Sequence, residues 1–214
     1  MKKKLLIASL ALTIPVLAET KAKTETKVLA FAGSTRADSY NKKLIKEAAE
    51  ILSQMGTTVT VIDLIDYPMP FYDADLEAKQ GMPKHAKSFR DLLINSDAII
   101  ISSPEYNSSL SAVLKNAIDW ASRSEEGQYS QEAFKGKKFA IMSAAPGKGG
   151  GGRGLVHLRS IIEAVGGEVI EPQVKVANAA NAFGKNGKLE NPLLKQELTQ
   201  EVQALLTAKS LSLK

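Results

Sequence analysis

Hydrophobic and polar positions along the chain follow two alternating rhythms. Val28 to Ala32 is an unbroken apolar run ending at Gly33, the pattern of a buried strand. Asn41 to Met55 instead sets Leu44, Ile45, Ala48, Ile51 and Leu52 three or four residues apart with charges between them, one face of a helix that Gly56 stops. Thr58 to Leu64 is β-branched and predicts a second strand. Residues 65–82 contain Pro68, Pro70 and Gly81 and read mostly as loop. Pro83 to Asn95 predicts a helix with Phe89, Leu92 and Leu93 inward and proline in its first turn. Ala98 to Ile101 is apolar without alternation, so this strand is buried on both faces, as in a parallel sheet. A helix over Leu110 to Ala121, a strand over Lys138 to Ser143 and a helix over Arg153 to Val165, stopped by Gly166-Gly167, continue the alternation. Val169-Ile170 and Val174 to Val176 supply a fifth strand, broken at Pro172. Leu193 to Leu206 closes the chain as a helix whose start is marked by Asn191-Pro192. Five strands alternating with helices predict an α/β fold, a doubly wound parallel sheet flanked by helices, as a single domain over 28–214.

The segment before the first strand has another character. Three lysines (Lys2 to Lys4), an apolar run from Leu5 to Leu17 and then Ala18 resemble a secretory signal over 1–18, with Val16 and Ala18 at the cleavage positions. A misassigned start or an uncleaved apolar tail are the alternatives. The run is too short to span a hydrocarbon core comfortably, so no stable membrane span is expected after cleavage. A polar linker rich in Lys, Thr and Glu covers 19–27. The leader changes the reading of charge. The whole chain carries +5, from 28 basic and 23 acidic residues. Without the three leader lysines, 25 against 23 leaves +2. That removes the argument for a nucleic-acid partner. The chain has no cysteine and two histidines, which excludes thiolate chemistry, disulfides and cysteine-ligated clusters and disfavours a histidine-rich metal site.

In a doubly wound sheet ligands bind beyond the carboxyl ends of the strands. The loop after the first strand, Gly33 to Asn41, runs into a helix N-terminus. It carries hydroxyls at Ser34, Thr35 and Ser39, a cation at Arg36 and an amide at Asn41, a set suited to a phosphate monoester. Capping by Asp38 or Ser39 is the plainer alternative, and Asp38 is expected to point away from an anion. The loop after the third strand, Ser102 to Ser109, offers Pro104, Glu105, Tyr106 and Asn107. These give a flat wall with polar groups for a planar heteroaromatic; a turn capping the next helix through Ser109 or Ser111 is the alternative. The loop after the fourth strand, Ala144 to Gly152, lets backbone approach a ligand closely, or is a flexible linker. Its match to G-x-G-x-x-G carries little weight, because a glycine run satisfies most glycine patterns and the fingerprint belongs after the first strand.

Gly33-Ser34-x-Arg36-x-x-Ser39-x-Asn41, then Pro104-Glu105-Tyr106-Asn107 leading to Leu114-Lys115-Asn116-Ala117-Ile118-Asp119-Trp120, then the Gly-rich loop before Leu158-Arg159, together resemble the NADPH-dependent FMN reductase family, which includes bacterial quinone and chromate reductases. The resemblance covers about 27–206. It implies a flavodoxin-like fold with bound FMN. Ser34, Arg36, Ser39 and Asn41 would hold the FMN phosphate, and Pro104, Glu105, Tyr106 and Asn107 would line the isoalloxazine. Ala145, Gly147 and Gly150 would close over the ring or admit the nicotinamide. The implied reaction takes hydride from NADPH or NADH to flavin N5 and then to a quinone, chromate or free flavin. It names no catalytic acid, base or metal among the side chains. Family members are homodimers or homotetramers. Thr35 departs mildly from the family pattern, and the leader departs more, since such enzymes are cytosolic. Export, with a periplasmic location, is the expectation; an unused leader and a cytoplasmic location is the alternative. A flavodoxin-like electron carrier without nicotinamide-dependent activity, and a non-flavin phosphate-ester binder, are the competing functions. Trp120 and Ile118 read as core. His85 and His157 are expected on helices away from the three loops.

Overall fold

The structure, a computed structural model, describes residues 26–207; the expected leader and most of the linker lie outside them. Strands β1 (Lys27–Ala32), β2 (Thr58–Asp63), β3 (Ala98–Ser102) and β4 (Lys138–Ala144) form a parallel sheet, with the fifth position shared by β5 (Glu168–Val169) and β6 (Lys175–Val176). The order is β2-β1-β3-β4-β5, the doubly wound arrangement the alternation predicts. Register is in phase across the centre: Ala30 lies between Val61 and Ile100, and Ile100 beside Ala140.

Because strand side chains alternate between faces, each central strand feeds two cores. Val28, Ala30, Ala32, Ile100 and Met142 face one layer, closed by α1 (Tyr40–Gln54) and α6 (Pro192–Thr207). Leu29, Phe31, Ile99, Ile101, Phe139 and Ile141 face the other, closed by α3 (Lys84–Ile94), α4 (Ala112–Ala121) and α5 (Gly152–Ala164). All these residues are buried. At ~1.5–3 kcal/mol for each large apolar side chain removed from water, this two-sided burial is what holds the sheet.

One expectation needs adjustment and another is borne out with a consequence. The stretch 65–82 is not mostly loop: it contains a 3-10 turn (Leu64–Asp66) and the helix α2 (Ala74–Gln80). Asp73 caps α2 by accepting from the Leu76 N–H at 2.8 Å, and Gly81 ends it at φ +71°. The buried Glu77 then ties α2 to Arg123, which donates from Nε at 3.0 Å and Nη2 at 2.8 Å. The fifth strand does break near Pro172, and the break has a consequence: β5 pairs the first two residues of β4, Lys138 with Glu168 and Phe139 with Val169, and β6 pairs its last two, Ser143 with Lys175 and Ala144 with Val176. Trp120 is fully buried and donates from Nε1 to the Pro70 carbonyl at 2.8 Å, a packing role as expected.

Candidate active site

The direction of winding reverses between β1 and β3, which opens a crevice beyond their carboxyl ends. Three loops meet there. The Gly33 N–H donates to the Ser102 carbonyl at 2.9 Å, and the Ser111 hydroxyl donates to the Gly33 carbonyl at 2.5 Å, so the start of the first loop is fixed to β3 and α4. A narrow cleft of about 50 Å3 is lined by Ser34, Arg36, Ser39, Asn41, Pro104, Glu105, Tyr106 and Ala145, together with Tyr40, Ala144 and Pro146, which the sequence did not single out. Asn107, Gly147 and Gly150 are not among the lining residues.

The helix N-termini around this crevice are treated differently, and the difference points to an anion. Ser111 caps α4 through its hydroxyl, accepting from the Leu114 N–H at 3.3 Å. Two N–H groups of the first turn of α5 donate to the Glu105 carboxylate, from Arg153 at 3.0 Å and Gly154 at 3.1 Å. By contrast, Ser39 at the N-cap of α1 makes no side-chain cap bond, and no acidic residue lies in that first turn. The opening N–H groups of α1 therefore keep their donor capacity and their partial positive charge. Buried hydroxyls at Ser34 and Ser39 and the exposed Arg36 surround them. The Ser34 hydroxyl accepts from the Arg36 N–H at 3.3 Å and still has its own proton to donate. This donor set fits the phosphate of FMN. Asp38 does point away: it is 79% exposed and paired with Lys43 at 2.6 Å, and that hydrogen-bonded ammonium holds its carboxyl below the usual range.

Asn41 and Glu105 reach the cleft but spend their side chains elsewhere. The Asn41 amide oxygen accepts from the Ser102 hydroxyl at 2.8 Å and the Ala144 N–H at 3.0 Å, and its nitrogen donates to the Ala144 carbonyl at 3.0 Å. It thus clamps α1 to β3 and β4, with one amide proton left. Glu105 also accepts from the Arg153 guanidinium at 2.6 Å. Burial pushes its carboxyl up, but the Gly154 N–H, the Arg153 guanidinium and the Arg153 N–H outweigh it, so the net shift is downward.

The remaining candidates shape the loops. Tyr106 and Ser109 exchange backbone hydrogen bonds at 2.9 and 3.0 Å across a tight turn in which Asn107 (φ +50°) and Ser108 (φ +67°) are left-handed, a conformation asparagine tolerates well. Tyr106 keeps a half-exposed ring at this rim. The Gly-rich loop is held by its own bonds: the Gly147 carbonyl accepts from the N–H groups of Gly150 and Asn178, each at 3.3 Å. Gly150 is buried, and a Cβ there would press on the Lys175 and Ala177 backbone. His157 corrects an expectation, because its Nδ1 lies 3.1 Å from the Ser109 hydroxyl, in the loop after β3; His85 is exposed on α3. Among the described residues no cluster of three or more His, Cys, Asp or Glu side chains could hold a metal, and no helix is long and apolar enough to cross a membrane.

Comparison with known proteins agrees with this geometry. The model of the NADPH-dependent FMN reductase family matches residues 26–181. An NAD(P)H-dependent FMN reductase of Pseudomonas aeruginosa is 36% identical over 180 residues, 84% of this chain and 92% of its own. An NAD(P)H:quinone oxidoreductase of Solanum tuberosum is 36% identical over 186 residues, 85% of this chain and 90% of its own. Among solved structures, the flavoenzyme NAD(P)H:(acceptor) oxidoreductase of Paracoccus denitrificans superposes with a TM-score of 0.72 at 28% identity, covering 85% of this chain and 95% of that one. An uncapped, hydroxyl-rich helix start at the switch point, in a chain matched by that model over most of its length, means that this protein belongs to the NADPH-dependent FMN reductase family.

Proposed function

We propose that this chain is an FMN-dependent NAD(P)H oxidoreductase that delivers electrons to quinones. The observation that carries the reading is the open N-terminus of α1, set among Ser34, Ser39 and Arg36 while the neighbouring α4 and α5 are capped by protein groups. Bound FMN supplies hydride acceptance at N5 and electron release to the acceptor. The chain supplies position and polarity. Ser34, Ser39, Arg36 and the first N–H groups of α1 hold the phosphate. Pro104 and Tyr106 form one wall for the ring, and the loop around Ala145 and Pro146 approaches from β4. The Glu105–Arg153 pair keeps that wall and the start of α5 in fixed relation. Quinone-type acceptors are supported by the quinone reductases among its relatives.

The direct experiment is an absorption spectrum of the purified chain, followed by steady-state NADPH and NADH oxidation with a quinone. A yellow protein that oxidises either donor is the expected result. A colourless chain that cannot be reconstituted with FMN defeats the reading. FMN binding without nicotinamide oxidation would instead identify an electron carrier. Our reading extends to chromate or free flavin as further acceptors and to a homodimer or homotetramer, which turnover assays and light scattering test. It also includes export through the Lys2–Ala18 leader, supported by its basic, apolar and small-residue order. A fusion of residues 1–25 to a reporter active only in the periplasm tests it; a silent reporter would mean the leader is unused.

A further inference from the structure

Against the Gly-rich loop lies a second cavity of about 600 Å3, lined by Glu105, Lys148, Gly152, Arg153 and Lys175 among others. Its charge is unusual for this molecule. Arg153 is paired with Glu105, but neither Lys148 nor Lys175 has an ion-pair or hydrogen-bond partner among the described residues. Three cations against one carboxylate leave an excess of two positive charges in its lining. Lys175 is also held in place. It stands on β6 in register with Ser143, and its stem crosses the start of α5, where a Cβ on Gly152 would lie 3.3 Å from Lys175 Cδ. Gly150 is what lets the loop lie this close to β6.

We propose that Lys148 and Lys175 form the subsite for a phosphate group of the nicotinamide dinucleotide. The inference rests on the reading of this chain as an NAD(P)H oxidoreductase. Chemistry and position both support it. A phosphate monoester carries about −1.5 to −2 at neutral pH, which matches the uncompensated charge. The cavity shares Glu105 with the flavin cleft, and Lys148 follows Pro146 of that cleft by two residues, a reach of at most about 7 Å of chain. An anion held by the lysines therefore lies within the span of a ligand whose other end enters the cleft. The FMN phosphate has its own place at the start of α1, so the lysine site is left for the donor. The α5 N-terminus does not compete, because Glu105 already accepts from its free N–H groups.

The test uses the FMN-loaded full chain and the variants Lys148→Gln, Lys175→Gln and the double variant. Both lysines are exposed, so folding and FMN retention are expected to be unchanged. Binding of 2′-phospho-ADP-ribose and of ADP-ribose, measured by calorimetry, gives a readout independent of turnover. Loss of charge-assisted bonds predicts about tenfold or greater weakening in the double variant. If the 2′-phosphate is the group held, only 2′-phospho-ADP-ribose weakens and only the KM for NADPH rises. If the pyrophosphate is held, both ligands weaken together and the KM for both donors rises. Either pattern supports the site. Unchanged binding of both ligands overturns it, as does loss of FMN from the variants, which would place the lysines in the flavin site. Failure of the underlying function looks different: the wild-type chain itself then retains no FMN.

Discussion

Neighbouring residues in the first loop have opposite assignments. Arg36 and Ser39 line the cleft, whereas Asp38 between them turns out to Lys43. The double variant Arg36→Ala/Ser39→Ala should weaken FMN binding by about 1.5–3 kcal/mol, roughly ten- to a hundredfold in Kd. Asp38→Ala should leave it unchanged; flavin fluorescence quenching on titration of the apoprotein measures both. Equal losses in the two proteins would contradict the phosphate assignment. Asn41 illustrates what the sequence withholds. Its place in the Ser-x-Asn pattern identifies it as a cleft residue, but its amide is committed to Ser102 and Ala144, 61 and 103 residues away. Asn41→Ala leaves the buried Ser102 hydroxyl and both Ala144 backbone groups without this partner. Each buried group so stranded costs ~1–3 kcal/mol, so with three of them a loss of about 3 kcal/mol or more in urea-denaturation stability is expected. A variant of unchanged stability would show that solvent or local rearrangement replaces the clamp. The Glu105 carboxylate was equally illegible: a helix cap supplied from 48 residues away leaves no local signature.

Among the elements, legibility follows the distance over which each is determined. The central strands declare themselves through unbroken apolar runs because both faces are buried, and that needs no knowledge of the partner. Helix α2 carried its local signals, Asp73 before it, Asp75 and Glu77 in its first turn and Gly81 after it, but Pro68 and Pro70 made the surrounding stretch read as loop. Its anchor, Glu77 on Arg123, is a contact 46 residues long. The Gly-rich loop was ambiguous between linker and ligand cradle, since composition does not tell which glycines are under constraint. The structure separates them. Gly151 at the N-cap of α5 is left-handed at φ +86°, and a Cβ there would fall on the Ser143 hydroxyl. Gly149 has nothing within 4 Å of a Cβ position and no positive φ. Gly151→Ala should therefore destabilise the protein by about 2 kcal/mol or more, and Gly149→Ala by much less. At the size of this chain the first loss is a fall of roughly 4–8 °C in Tm. Similar melting points for the two variants would mean that the loop is not held in this form.

At the scale of the whole molecule, α6 meets the fifth-strand region at an ionisable side chain buried in the core. There Glu201 is fully buried; one carboxyl oxygen accepts from the Val174 N–H at 2.7 Å and the other has no partner. Burial pushes its pKa from 4.5 up to about 8; the Val174 N–H acts in the opposite direction, and the Glu171 carboxylate adds to the rise. The sign of the consequence follows from proton counting. Between the unfolded value near 4.5 and the folded value near 8, the folded chain keeps a proton that the unfolded chain has released. Raising the pH through that window therefore favours unfolding, with a slope of at most about 1.4 kcal/mol per pH unit from this group. Glu201→Gln keeps an acceptor for the Val174 N–H and removes the titration. The variant and wild type should be of similar stability near pH 4.5, and the variant increasingly the more stable up to pH 8, in denaturant titrations across that range. Parallel curves would mean that Glu201 titrates alike in both states, and that α6 closes the sheet without holding a proton there.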